Sequence, residues 1–266
     1  MKNLFSCYLI FGLISLGLLS CSNEEDVINS TSVKSVEHFT LHAKYKGKKY
    51  TVPCVIENDT VIKFLDVEFN ELYQNEIALL PDLAILANNS EYVEFYSNSK
   101  ELLEENNLRI LDLNGSNGNN SLTKATGDLA GRAILWDDNN YSDRSLTIDI
   151  NYDLQWTWPH LKTTYGFNDK TSSIKVWNFI PNDAIVPDPL NSSILHKGSN
   201  LRTVFIGYEN DSFVGRALYC VASNSAVHAD PNLKYIPCGS GDWNDRITSA
   251  VFRIALYNVF TPHPSL

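Results

Sequence analysis

The sequence predicts a mainly β protein in which a small α+β domain, residues 36–113, precedes a larger β domain, residues 127–260. Three observations lead to this prediction. Residues 36–113 alternate in polarity like strands around one helical stretch, and the second half repeats one hairpin-like pattern. Between them, residues 114–126 are rich in Asn, Gly and Ser. The segment has too few apolar side chains for their burial to offset the entropy lost on ordering the chain. It is therefore predicted to be a linker.

The composition limits the classes of protein that the chain can belong to. Of its 266 residues 44% are hydrophobic, which is enough to bury a core and excludes a wholly disordered protein. Lys and Arg total 21 against 31 Asp and Glu, giving a net charge of -10. Because phosphate backbones bind cationic surfaces, we expect no nucleic-acid partner.

Residues 1–21 have the pattern of a secretory signal. Lys2 precedes a mostly apolar run from Leu4 to Leu19, which is short for a membrane span. The run ends in Leu-Leu-Ser-Cys21, which resembles the lipobox of bacterial lipoproteins and implies a lipid anchor on Cys21. An uncleaved anchor helix is the alternative.

The residues after Cys21 predict the location of the protein. The acidic stretch Ser22–Asp26 resembles the export signal of Bacteroidetes surface lipoproteins. The resemblance implies an outer-membrane lipoprotein at the cell surface, with residues 22–35 as a flexible tether.

Cysteine usage predicts one disulfide. Loss of Cys7 with the signal and lipidation of Cys21 leave Cys54, Cys220 and Cys238 of the five cysteines. Cys220 and Cys238 are close in sequence and share a domain, so we expect them to pair. The histidines are scattered and there is no C-x-x-C, which argues against a zinc or redox site.

The α+β region contains recognisable elements but no chemical motif. A hairpin is predicted from His38–Tyr45 and Lys49–Ile56, followed by a helix over Asp66–Leu80 and a strand over Tyr92–Tyr96. A short helix over Lys100–Asn106 would be capped by Ser99. We predict a packing or spacer role for this region.

The second half contains two copies of an aromatic hairpin. Trp136 and Tyr141 lie five residues apart, as do Tyr208 and Phe213. Gly215 follows the second pair and Asp143 the first. Asp tolerates a left-handed backbone better than most residues but less well than glycine, so the first hairpin is predicted to be the looser of the two.

Each hairpin is followed by a matched polar segment. The first is Asn168-Asp-Lys-Thr-Ser-Ser173 and the second is Asn244-Asp-Arg-Ile-Thr-Ser249. Each segment comes shortly before a β-rich stretch. The combination of hairpin and polar segment resembles the βγ-crystallin family, whose hairpin motif is an aromatic, four residues, an aromatic, one residue and glycine. The resemblance implies a two-Greek-key sandwich over 127–260 that binds about two Ca²⁺ ions.

The chemistry of the polar segments also suits calcium, independently of the family resemblance. Calcium takes six to eight oxygen ligands, and Asp169 with Ser172, like Asp245 with Thr248, offers two such oxygens on one bend. We therefore expect one site per segment, although Asn-Asp-x-x-Ser also forms ordinary Asx-turns. The resemblance implies that the backbone carbonyl oxygens of Asp137 and Glu209, in the hairpin loops, are further calcium ligands. The complete predicted metal set is Asp137, Asn168, Asp169, Lys170, Ser172, Glu209, Asn244, Asp245, Arg246 and Thr248.

The predicted function is a non-enzymatic calcium-binding module in which calcium stabilises the fold. The alternative is a protease inhibitor or a glycan-binding or adhesion module that uses the sandwich as a rigid platform. Residues 181–200 and the aromatic side chains of Trp156, Trp158 and Tyr165 would form its surface. The spacing of the acidic residues shows no paired catalytic site.

Overall fold

The computed structural model describes residues 36–57, 61–88, 92–111, 128–152, 156–188, 193–224 and 226–257. The predicted signal (1–21, with Cys21), tether (22–35) and linker (114–126) lie outside the described residues. Among the residues described, no helix combines the length and apolarity that a membrane crossing requires.

The first part of the chain is α+β, as predicted. Its elements are β1 (Val36–Tyr45), β2 (Lys48–Glu57), β3 (Val61–Phe64), α1 (Val67–Asn75), β4 (Ala84–Asn88), β5 (Tyr92–Tyr96), α2 (Ser99–Glu105) and β6 (Leu108–Ile110). The predicted hairpin is confirmed, because β1 pairs antiparallel with β2. Its turn uses Lys46 and Gly47, both with positive φ.

The two helices differ from their predicted bounds at the ends. Asp66 caps α1 by accepting a hydrogen bond from the Phe69 amide at 2.8 Å, and α1 ends at Asn75 before a separate 3₁₀ turn. The Ser99 cap predicted for α2 is wrong. Asn98 has the extended backbone of a cap residue, and its side chain accepts from the Glu101 amide.

The second part of the chain is almost entirely β. Its elements are β7 (Leu129–Trp136), β8 (Ser145–Asn151), β9 (Trp156–Trp158), α3 (Leu161–Tyr165), β10 (Ser173–Asn178), β11 (Ile185–Pro187), β12 (Leu195–Lys197), β13 (Leu201–Tyr208), β14 (Ala217–Ala222), β15 (Val227–Asp230), β16 (Pro237–Cys238), β17 (Gly241–Asp242) and β18 (Ser249–Tyr257). Strands β7 to β10 form the first repeat. The main strands of the second repeat are β13, β14, β15 and β18.

The two repeats exchange their third strands, which is a two-Greek-key arrangement. One sheet has the order β15-β10-β7-β8, so β15 of the second repeat pairs with the first. In the other, β14-β13-β18 is followed by β9 of the first repeat, which pairs with β18. The exchange makes each sheet depend on both repeats.

The core lies between these two sheets. It is filled by large apolar side chains with at most 5% exposure, among them Leu135, Trp158, Val176, Phe205 and Phe252. Gly131 of β7 packs directly against the other sheet, because a Cβ atom there would be 2.6 Å from the Thr203 methyl group on β13. A side chain at this position would force neighbouring atoms to shift.

The sheet of the second repeat continues into the first part of the chain. Strand β4 pairs in parallel with β14, and the order then runs β4-β5-β1-β2-β3. At the other side, β6 pairs with β18. The predicted α+β region therefore shares a sheet and an apolar core with the β region.

Candidate metal centre

The two aromatic hairpins have nearly the same geometry. The rings of Trp136 and Tyr141 meet edge to face at 5.2 Å between centroids, and those of Tyr208 and Phe213 do so at 5.7 Å. Edge-to-face packing is a favourable arrangement for aromatic pairs. Each hairpin thus bends around an aromatic corner, as the repeat predicted.

The residue after each aromatic pair has a left-handed backbone. Gly215 has φ +85° and Asp143 has φ +62°, so Asp143 takes the conformation expected of the glycine that it replaces. A Cβ atom on Gly215 would be 2.5 Å from the side-chain amide nitrogen of Asn210. A substitution here would therefore displace the Asn210 side chain in addition to straining the left-handed backbone.

The last serine of each polar segment ties it to its hairpin. The buried Ser173 hydroxyl donates to the Asp138 carbonyl at 2.7 Å and accepts from the Tyr141 amide at 3.0 Å. Ser249 repeats the pattern with the Asn210 carbonyl and the Phe213 amide. These bonds satisfy backbone groups that the turns leave without ladder partners.

The two polar segments face each other across the sandwich. The Asp169 amide donates to the Ile247 carbonyl at 3.3 Å, and the Asp245 amide donates to the Thr171 carbonyl at 3.1 Å. Both aspartates have positive φ, 49° and 53°. This reciprocal pairing turns each carboxylate towards the other segment.

As a result, three oxygens converge at each hairpin loop. Each set is crossed, because its hydroxyl comes from one polar segment and its carboxylate from the other. Ser172 Oγ lies 2.6 Å from the Asp137 carbonyl oxygen and 3.1 Å from Asp245 Oδ1. The sequence grouped Asp169 with Ser172 and Asp245 with Thr248, whereas the hydrogen bonds link Ser172 to Asp245 and Thr248 to Asp169. The reason is the pairing of the segments, because each aspartate reaches the hydroxyl of the opposite loop.

The second set mirrors the first. Thr248 Oγ1 lies 2.8 Å from the Glu209 carbonyl oxygen and 3.0 Å from Asp169 Oδ1. One hydroxyl hydrogen can serve only one of two neighbouring oxygens at a time, so the remaining lone pairs repel. Three converging oxygens, one of them from a carboxylate, suit a hard divalent cation. The donor set therefore fits calcium.

The other predicted residues lie around these oxygens. The side-chain amides of Asn168 and Asn244 donate to the second oxygens, Oδ2, of Asp169 and Asp245, which orients both carboxylates. The cationic side chains of Lys170 and Arg246 have no lone pair for a metal. Their contribution to a calcium site is limited to backbone carbonyls.

Basic side chains neutralise the carboxylates of the hairpin loops. Arg216 and Arg246 each donate to Glu209, at 2.9 and 3.0 Å, and Arg216 also donates to the Ala78 carbonyl of the first part of the chain. Arg144 and Lys170 lie 3.4 and 3.8 Å from the Asp137 carboxylate. Arg144 and Arg216 occupy matching positions of the two hairpins, each directly after the residue with the left-handed backbone.

Negative charge is concentrated around the oxygen set that contains Asp245. Burial raises the pKa of the Asp245 carboxyl, and the nearby Asp137 and Asp169 charges raise it further. The hydrogen bond from Ser172 and the charge of Lys170 oppose this shift. A divalent cation beside Asp245 would relieve the repulsion among these carboxylates.

The cysteines do not form the predicted bridge. Cys54, Cys220 and Cys238 are free and buried, so the prediction that Cys220 pairs with Cys238 is wrong. Cys220 on β14 points into the core beside His228 and Asp230. Cys238 lies on the β16–β17 ribbon, where burial and the Glu209 charge raise its pKa to about 12.

The aromatic residues of the alternative binding surface serve mainly as packing. Trp158 is buried and stacks on Trp156 with ring centroids 5.7 Å apart. Its indole nitrogen donates to the Tyr165 hydroxyl at 3.0 Å, which fixes the most exposed of the three rings.

Among known proteins, similarity to this chain is found in solved structures. No protein-family model matches the sequence, and no curated protein matches it. One similar structure is described as "Evolution of the eye lens beta-gamma-crystallin domain fold". It is 15% identical, with a TM-score of 0.28 over 52% of this chain and 97% of that one. A βγ crystallin from Ciona intestinalis is 19% identical, with a TM-score of 0.24 over 45% and 95%.

The topology and local geometry of this chain define the fold of the region. The exchanged third strands, the two aromatic corners and the facing polar segments all lie between Leu129 and Tyr257. The predicted mainly β fold class is confirmed. Residues 129–257 have a βγ-crystallin-like fold of two Greek keys.

Proposed function

We propose that residues 129–257 form a calcium-binding module that holds about two ions and is stabilised by them, without catalytic activity. The observation that carries the proposal is the crossed convergence of a hydroxyl, a carbonyl and a carboxylate at each hairpin loop. An ion there would link both hairpins and both polar segments. A ligand that binds only the folded state adds stability through its binding free energy.

Each proposed site takes residues from both repeats. Ser172, the Asp137 carbonyl and Asp245 would hold one ion, and Thr248, the Glu209 carbonyl and Asp169 the other. Each set contains one formally charged ligand, which favours modest affinity, about 10⁻⁶ to 10⁻³ M, as in sensors and extracellular modules. Millimolar extracellular calcium would fill such sites.

The module is further proposed to be held at the outer membrane, facing the cell surface, by a lipid on Cys21. The apolar run before Cys21 and the acidic residues after it support this location. Replacing Cys21 by Ala should abolish palmitate labelling and release the protein from the membrane fraction. Replacing Cys7 by Ala is the matched control and should leave labelling intact. Unchanged labelling of the Cys21→Ala variant would refute the anchor.

The calcium proposal is tested by thermal unfolding of the full chain in calcium and in chelator. Calcium should raise the melting temperature. Magnesium at equal concentration should raise it much less, because magnesium is smaller, requires octahedral geometry and retains its waters. Equal melting temperatures in millimolar calcium and in chelator would refute calcium binding and leave the fold assignment intact.

A further inference from the structure

A second group of metal-binding side chains lies in the core, away from the oxygen sets. It consists of Cys220 on β14 with His228 and Asp230 on β15, exposed by 0%, 2% and 0%. One possible ligand atom from each residue lies within 4.8 Å of the others. Among the described residues, this is the cluster that brings three His, Cys or acidic side chains within such a distance.

We propose that Cys220, His228 and Asp230 bind one divalent transition-metal ion of the zinc class. Thiolate sulfur, imidazole nitrogen and carboxylate oxygen are all ordinary zinc ligands. Calcium, which prefers oxygen ligands, would not compete well for a site with sulfur and nitrogen. The two kinds of site are therefore chemically distinct.

The spacing of the three ligand atoms is compatible with a tetrahedral ion. Bonds of roughly 2.0–2.3 Å place tetrahedral neighbours roughly 3.3–3.8 Å apart. The present separations are all within 4.8 Å, which is near this range. His228 Nε2 is hydrogen bonded to Asp230 Oδ2, and the ion would separate these two atoms.

Charge balance also favours a divalent ion in this position. A buried thiolate and a buried carboxylate carry two negative charges, which one divalent ion neutralises. Binding releases the Cys220 proton to water, and the sulfur electron pair forms the metal bond. The proton between His228 and Asp230 leaves Nε2, so that the neutral imidazole binds through Nε2 and keeps its one N–H at Nδ1. A neutral cluster avoids the large cost of burying an unpaired charge in an apolar core.

An adjoining cavity provides access. A cavity of about 240 Å³ is lined by His228 together with Ala222, Ser223 and Val227. The cavity offers an ion a path as far as His228, whereas Cys220 and Asp230 do not line it.

The ion would connect the two sheets of the sandwich. Strand β14 belongs to the large sheet and β15 to the four-stranded sheet. Cross-linking them would stabilise the folded state, because the ligands come together only when both sheets are formed. The proposal does not depend on calcium binding.

The test is a cobalt titration of the full chain, reduced and stripped of metal, with excess calcium present to fill hard oxygen sites. Cobalt(II) reports its ligands through a thiolate-to-metal charge-transfer band and tetrahedral d–d bands. We expect one equivalent to produce both, one equivalent of zinc to abolish them, and zinc to raise the melting temperature. Absence of the charge-transfer band from the unmodified protein would overturn the proposal without any variant having to fold.

Two variants locate the site. Cys238→Ala is the matched control, since Cys238 is also a fully buried free thiol. It should retain the band at full intensity, whereas Cys220→Ala should lose it. His228→Gln should weaken cobalt binding at least tenfold. Loss of the band in Cys238→Ala together with its retention in Cys220→Ala would overturn the assignment.

Discussion

Replacing Asp245 by Ala should disable the calcium site at the first hairpin, although Asp245 belongs to the second polar segment. Its Oδ1 lies 3.1 Å from Ser172 Oγ, which lies 2.6 Å from the Asp137 carbonyl oxygen. Asp245 supplies the formal charge of this donor set. Without it, a hydroxyl and a carbonyl dipole remain, and these hold a divalent ion weakly.

The expected loss can be calculated from binding linkage. For a site with a Kd of about 10⁻⁴ M, calcium at about 10 mM stabilises the folded state by about 2.7 kcal/mol. In a folded unit of about 150–250 residues, each kcal/mol shifts the melting temperature by about 2–4 °C. Asp245→Ala should therefore reduce the calcium-dependent rise by about 5–11 °C, with a much smaller effect in chelator.

Double variants test the crossing itself. Adding Ser172→Ala to Asp245→Ala should cost no further calcium-dependent stability, because both residues belong to one site. Adding Thr248→Ala should remove the rise that remains. Asp183→Ala, at an exposed aspartate in a turn, is the matched control and should keep the full rise. The crossed arrangement is refuted if Thr248→Ala adds nothing and Ser172→Ala removes the remainder.

Three further predictions concern stability in chelator. Gly215→Ala should destabilise by more than the roughly 1–2 kcal/mol that a left-handed alanine costs, since its Cβ would also displace the Asn210 side chain, whose amide nitrogen would be 2.5 Å away. Gly47→Ala has a similar φ and open space, so equal losses would contradict the steric part. Ser249→Ala should cost about 1–3 kcal/mol with or without calcium, whereas Thr248→Ala should act mainly in calcium. Burial raises the pKa of Asp242 to about 7 from 3.8; the folded state therefore holds a proton that the unfolded state has released, and stability should fall as pH rises from about 4 to 7. Urea unfolding across this range should show a shallower fall for Asp242→Asn, and an unchanged slope would contradict the shift.

The hairpins and polar segments were predictable because their signals are local. An aromatic pair five residues apart and an Asn-Asp turn act over a few residues, and the structure places Trp136, Tyr141, Tyr208 and Phe213 at two matching corners. Asp143 was also predictable, because its tolerance of positive φ is intrinsic to the residue. Such features depend on short-range sterics.

The arrangements that the sequence did not predict depend on distant partners. Ser172 and Asp245 are 73 positions apart, and Thr248 and Asp169 are 79 apart. Their pairing follows from how the two segments face each other, which local spacing does not encode. The same holds for the parallel pairing of β4 with β14.

The cysteine prediction failed for a related reason. Closeness in sequence suggested that Cys220 and Cys238 would pair, but a disulfide requires the two residues to meet in space, and β14 and β16 belong to different sheets. Cys220 faces the core beside His228 and Asp230, and Cys238 lies on a separate ribbon. The scattered positions of the histidines in the sequence therefore did not predict the buried cluster.

The central claim is tested most directly by calorimetric titration of the full chain with calcium. We predict that the unmodified protein binds about two ions. Asp169→Ala and Asp245→Ala should each bind about one, and the double variant should bind none. No heat of binding in the unmodified protein, or undiminished stoichiometry in the double variant, would contradict the assignment of these two carboxylates to two crossed calcium sites.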